Sequence, residues 1–117
     1  LINNEDPAKK SHYAVIFTSQ RTEGDNGYHA MADQMSELAS KQPGFLGVDS
    51  VRDASGTGIT ISYWDSLEAI RHWKQVESHL VAQERGKQEW YEHYEVKICK
   101  VERAYSSEKR AHDKRDA

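Results

Sequence analysis

One cysteine and two prolines stand in 117 residues. The lone thiol, Cys99, excludes an internal disulfide framework and fits a reducing, cytoplasmic setting. No apolar run approaches the roughly 18 residues that a membrane-spanning helix needs, so no membrane partner is expected. Leu1 to Ser11 is charged and polar and lacks the apolar centre of a secretory signal. Cationic excess is missing too: 16 Lys and Arg are interspersed with 19 Asp and Glu, for a net charge of −3. That balance has no basic stripe for a nucleic-acid partner. No spacing of His, Cys, Asp and Glu reads as a metal site. Gly56-Thr57-Gly58 leads into no helix N-terminus, so it is a turn and not a phosphate loop. With no internal repeat, the length fits one domain, whose core is small for a chain that also encloses a ligand.

What is present centres on Pro43 to Ile70. Pro43-Gly44 ends the segment before it. Phe45–Arg52 and Gly58–Trp64 are rich in β-branched and aromatic residues, and the polar link from Asp53 to Thr57 reads as a hairpin loop. Asp65, with Glu68 three residues on, predicts a capping box at the start of a helix. Upstream, Tyr13 to Ser19 reads as a strand with two largely apolar faces, Tyr13, Val15, Phe17 and Ala14, Ile16, Thr18, so both sides should be covered. Asp25 or Asn26 should cap a helix whose apolar stripe is Tyr28, Met31, Ala32, Met35, Leu38 and Ala39.

After Asp65, Leu67, Ile70 and Trp73 keep helical spacing, but the pattern slips near Gln75 to Ser78. A broken helix is predicted there, with Ser78 opening a second piece and Gly86 as a weak point. Tyr91 to Tyr105 reads as an overlong final strand with Tyr94, Val96 and Ile98 on one face, reconciled by a bulge near Cys99 or Lys100 or by pairing with another subunit. Leu1–His12 is expected as a mobile arm, 13–105 as the domain, and Ser106–Ala117 as a disordered charged tail. The order strand, helix, strand, strand, helix, strand predicts an α+β, ferredoxin-like fold. Its four-stranded antiparallel sheet carries both helices on one face. A bare apolar sheet face would be closed most simply by a twofold homodimer, sheet on sheet.

The runs Tyr13 to Thr22, Gly24 to Tyr28, Gln42 to Ser50, Gly58 to Ile70 and Trp90 to Tyr105 resemble the antibiotic biosynthesis monooxygenase domain, in its small bacterial branch, over nearly all of 13–105. The resemblance implies a dimeric α+β barrel. Some members of that family oxygenate quinols or aromatic polyketides without metal or flavin, so no cofactor is expected. Others degrade haem with a first-strand asparagine, a tryptophan and a histidine about three helical turns later. Trp73 matches that tryptophan, but Gln83 stands near the histidine position and Thr18, Ser19 and Gln20 where the asparagine would be. Haem degradation is therefore not expected.

Two classes of function remain: an oxygenase of a small aromatic, or a non-catalytic small-ligand or stress-associated module using the same cavity. His79, opening the proposed second helical piece, is the candidate catalytic base, with an exposed helix-terminal histidine as the plain alternative. Tyr63, Trp64, Trp73 and Tyr91 are the candidate substrate-binding aromatics, and Trp90 belongs to the same set. For any one of them taken singly, core packing is the stronger reading. His72 should face solvent. His93 and Glu95, on one strand face, read as a solvated pair before an acid–base one. Cys99 reads as core.

Overall fold

The computed structural model describes residues 12–83 and 90–107, the side chains of 81–83 excepted. Nearly all of the expected arm and most of the expected tail, together with Gly86, lie outside the described residues. The elements are β1 (His12–Arg21), α1 (Tyr28–Ser40), β2 (Phe45–Arg52), β3 (Thr57–Trp64), α2 (Leu67–Gln83) and β4 (Tyr91–Val101). The strands run β2-β3-β1-β4 across one sheet, every neighbouring pair antiparallel. This is the ferredoxin-like α+β arrangement that the element order predicts.

The period of two sorts β1 onto two faces. Tyr13 and Val15 join Trp64, Phe45 and the helix residues Met35, Leu38, Ala39, Ile70 and Trp73 in the main core. Trp64 is 0% and Ile70 2% exposed. Trp64 and Trp73 stack with ring centroids 6.0 Å apart, and Phe45 meets Trp64 edge-on at 5.4 Å. Large buried aromatic rings of this kind dominate the apolar burial of a small core. Ala14, Ile16, Ile59, Ile61, Tyr63 and Val51 fall on the opposite face by their register. No described element covers that face, and Val51 is 70% exposed.

Local chemistry sets the element ends. Asp25 caps α1 from outside: its carboxylate accepts the backbone N–H of Gly27 at 3.1 Å and of His29 at 3.2 Å. The His29 ring bonds the same carboxylate and is the main reason the Asp25 carboxyl sits below its ordinary range. In the hairpin, Asp53 accepts from the Ser55 and Thr57 N–H groups at 2.9 and 3.1 Å, an Asx turn. The expected Asp65–Glu68 box gives way to Ser66, whose hydroxyl accepts the Ala69 N–H at 3.0 Å. Asp65 is engaged elsewhere, its N–H donating to the Gly44 carbonyl at 2.8 Å.

Three further expectations are corrected. α2 runs unbroken through 75–78, so the slip in apolar spacing marks a polar residue on its inward stripe and not a break. β4 ends at Val101, and its register shift falls opposite Gln20 and Arg21, not at Cys99 or Lys100. Cys99 is exposed, opposite Ala14, and not core. Among the described residues no helix is long and apolar enough to cross a membrane.

Gly44 joins α1 to β2 at φ 89°, and a Cβ there would lie 2.6 Å from both the Ala69 Cβ and the Asp65 carboxylate. Gly44→Ala should therefore combine backbone strain with a clash against the start of α2. We expect it to destabilise the fold by more than about 1 kcal/mol, read as a lower urea midpoint at unchanged m-value.

Candidate active site between the sheet and the helices

A cavity of about 390 Å³ lies between the helix-bearing face of the sheet and the two helices. Its floor is Val15, Phe17, Thr60 and Ser62, its α1 wall Tyr28, Met31 and Met35, and its α2 wall Trp73, Lys74 and Glu77. Tyr91, Val96 and Trp90 close one end. The volume falls in the range of small-molecule sites, which are mostly apolar with a few placed polar groups.

Around Tyr28 lies a polar cluster whose arginines, Arg21 and Arg52, are not themselves lining residues. Arg52 sits at the end of β2 on the inward face, opposite Gly58. A Cβ on Gly58 would lie 2.4 Å from the guanidinium carbon, so only glycine lets the side chain lie across β3. Held there, Arg52 donates to the Gly56 carbonyl at 2.6 Å, the Ser19 hydroxyl at 2.8 Å and the Tyr28 hydroxyl at 3.4 Å. Ser19 is a buried polar residue, 3% exposed, and this contact satisfies it. Arg21 packs its guanidinium 3.9 Å over the Tyr28 ring and donates to the Trp90 carbonyl at 2.5 Å. Among the described residues neither arginine meets a carboxylate, so two positive charges flank one tyrosine. Burial above all pushes the Tyr91 hydroxyl well above its ordinary value, and a hydrogen bond to Tyr28 raises it further against the opposing pull of both arginines. The Tyr28 oxygen accepts from Arg52, and its ring meets the Tyr91 ring edge-on at 5.8 Å.

The residues singled out in the sequence divide. Trp73 and Tyr91 line the cavity, as does Trp90. Trp64 lies in the core under Trp73. Tyr63 pairs with Ala14 on the other face, its ring 6.5 Å from that of His12. His79 is exposed on the unbroken α2 and is not among the lining residues, because the helix start expected beside it does not exist. His72 is exposed as well, and His93 and Glu95 stand exposed on the face away from the cavity, with Glu95 3.2 Å from Lys97. No group of three His, Cys, Asp or Glu that could hold a metal occurs among the described residues. The lining includes no histidine, and the side chain of Gln83 lies outside the described residues. Sequence reading missed Tyr28, Arg52 and Glu77 as site residues.

Residues 12–85 match the family described as antibiotic biosynthesis monooxygenase. The uncharacterized protein YqjZ of Bacillus subtilis (strain 168) is 54% identical over 92 residues, which is 79% of this chain and 81% of that protein. Among solved structures, a variant of SnoaB, a cofactor-independent oxygenase from Streptomyces nogalater, aligns with a TM-score of 0.68 at 11% identity, covering 82% of this chain and 98% of that one. A MhuD variant with two manganese protoporphyrin IX bound per active site aligns at 0.61 and 17% identity, covering 81% and 99%. At such identities these two likenesses are of fold.

The Tyr91 arrangement has a consequence at alkaline pH. Its folded pKa is raised, so the stabilisation is present below the unfolded value near 10 and is lost as pH climbs above it. We expect one of the six tyrosines to resist ionisation, followed by ultraviolet absorbance, until the chain unfolds. In Tyr91→Phe the loss of stability above about pH 10 should be shallower than in the parent protein.

Proposed function

The chain belongs to the antibiotic biosynthesis monooxygenase family, and from that premise we propose that it oxygenates a small, electron-rich aromatic, quinol- or polyketide-like, in the cavity beneath its helices. The observation that carries this reading is the cavity itself, whose lining includes Tyr28, with Arg52 donating to its hydroxyl, beside Tyr91. The likeness to a cofactor-independent oxygenase supports the same chemistry without metal or flavin. A phenolate can itself pass an electron to dioxygen, so the protein need only bind the ring, exclude water and stabilise negative charge as it develops. Met35 and the Trp73 ring offer apolar walls to a flat ligand. The Tyr28 hydroxyl, flanked by the Arg52 and Arg21 charges, is the donor assigned to the developing oxyanion.

With 1,5-dihydroxynaphthalene and oxygen we expect uptake of one dioxygen per hydroxynaphthoquinone formed, and roughly a hundredfold slower uptake in Tyr28→Phe. Binding without any protein-dependent oxygen uptake would count for the non-catalytic module instead.

We further propose that the bare sheet face is the homodimer interface. Ile16, Ile59, Ile61 and Val51 form a contiguous apolar area across β1, β3 and β2, and water contact over such an area is unfavourable. Light scattering at micromolar concentration should give about twice the 13.4 kDa chain mass. Val51→Lys with Ile59→Lys should shift the species toward the monomer. A parent protein that scatters only as a monomer contradicts the interface.

A further inference from the structure

The cavity lining includes two carboxylates, the exposed Asp33 and the mostly covered Glu77. Glu77 is four residues after Trp73, on the same face of α2, where helical spacing would otherwise place an apolar residue. Its side chain is 17% exposed and lines the cavity. Lys74, one turn back, holds it with an Nζ–Oε1 distance of 3.2 Å. A surface helix keeps its charges on the outer stripe, and a carboxylate on the inner one costs desolvation unless it has a task or a partner. Lys74 is a partner, but it too lines the cavity, at 39% exposure, so the pair is presented to a ligand and not to bulk water alone. The other titratable groups on the lining are Asp33 and Tyr28 of α1 and Tyr91 of β4. Asp33 is exposed, and the two tyrosines are donors. The lining residues of β1, β2 and β3 carry no titratable side chain.

We propose that Glu77 is the proton acceptor of the reaction and that Lys74 positions it. The assignment rests on the oxygenase reading above. A phenol bound with its hydroxyl toward Glu77 loses the O–H proton to the carboxylate, and the electron pair stays on the substrate oxygen. The phenolate passes one electron to dioxygen, and the resulting radical and superoxide join at the ring carbon para to the oxygen. Glu77 returns its proton to the peroxide. It then takes the proton of the para C–H as the O–O bond breaks, leaving a quinone and hydroxide, and protonates the hydroxide to water. The sum is phenol plus dioxygen giving quinone plus water, with all electrons from the substrate.

Two measurements on the intact protein test this. The first is independent of oxygen chemistry: the ionisation of bound 4-nitrophenol, followed by its absorbance. A carboxylate facing the phenol disfavours its anion, so Glu77→Gln should lower the apparent pKa of the bound probe by about one unit or more. An unchanged value overturns the proposal. The second is oxygen uptake with 1,5-dihydroxynaphthalene. Glu77→Gln should lose about a hundredfold in rate at unchanged affinity. Lys74→Met should lower the limiting rate at unchanged affinity, and Lys74→Arg should restore it. Full activity in Glu77→Gln overturns the proposal, as does a parent-like rate in Lys74→Met, or a Lys74→Arg that restores nothing, for the positioning role. If the 4-nitrophenol shift appears and the parent protein consumes no oxygen, the oxygenase reading fails while Glu77 still faces the phenol.

Discussion

One guanidinium lying flat on one glycine organises the polar end of this protein. Arg52 reaches across β3 only because Gly58 has no Cβ, and from there it bonds the hairpin backbone at Gly56, the buried Ser19 of β1 and the Tyr28 hydroxyl at the head of α1. Arg21 completes the arrangement by stacking on Tyr28 and bonding the Trp90 carbonyl, which ties the start of β4 to the end of β1. A buried guanidinium is costly without partners and rigid with them. Here most of its partners are oxygen atoms of backbone and hydroxyl groups, so the positive charge is held in place without being neutralised.

The second constraint is the two-residue period of the sheet. It sends Tyr13, Val15 and Phe17 toward the helices and Ala14 and Ile16 away from them, so the same strand lines the cavity and supplies the outer apolar face. The cavity and the bare apolar face therefore lie back to back on one sheet, with Phe17, Thr60 and Ser62 on the cavity side and Ile16, Ile59 and Ile61 on the other.

The fold was legible because its signals are local and strong: Pro43-Gly44, the hairpin loop, and apolar runs of period two or near 3.6. The polar corner was not, for a reason that can be placed. Leu46 is an extra residue where the β2–β3 register shifts, between Phe45 and Gly47. Counting by twos from Phe45 leads to Val51 and sends Arg52 outward; the shift turns Arg52 inward and Val51 out. The break read into α2 has a similar origin. Glu77 interrupts the apolar spacing, and a polar residue on an inward stripe looks in sequence like the end of a helix. The same misreading placed His79 at a helix start and hence in the cavity. Trp73 and Tyr91 could be picked out as aromatics on predicted elements, but only the register shows that Tyr63, adjacent to Trp64, faces the other way.

The most direct test of this account is a crystal structure of the protein with 1,5-dihydroxynaphthalene bound. The ring should lie between α1 and the sheet beside Trp73, with one ligand oxygen about 2.7 Å from the Tyr28 hydroxyl. A ligand found on the outer sheet face, or in the cavity with both oxygens turned away from Tyr28, would contradict it.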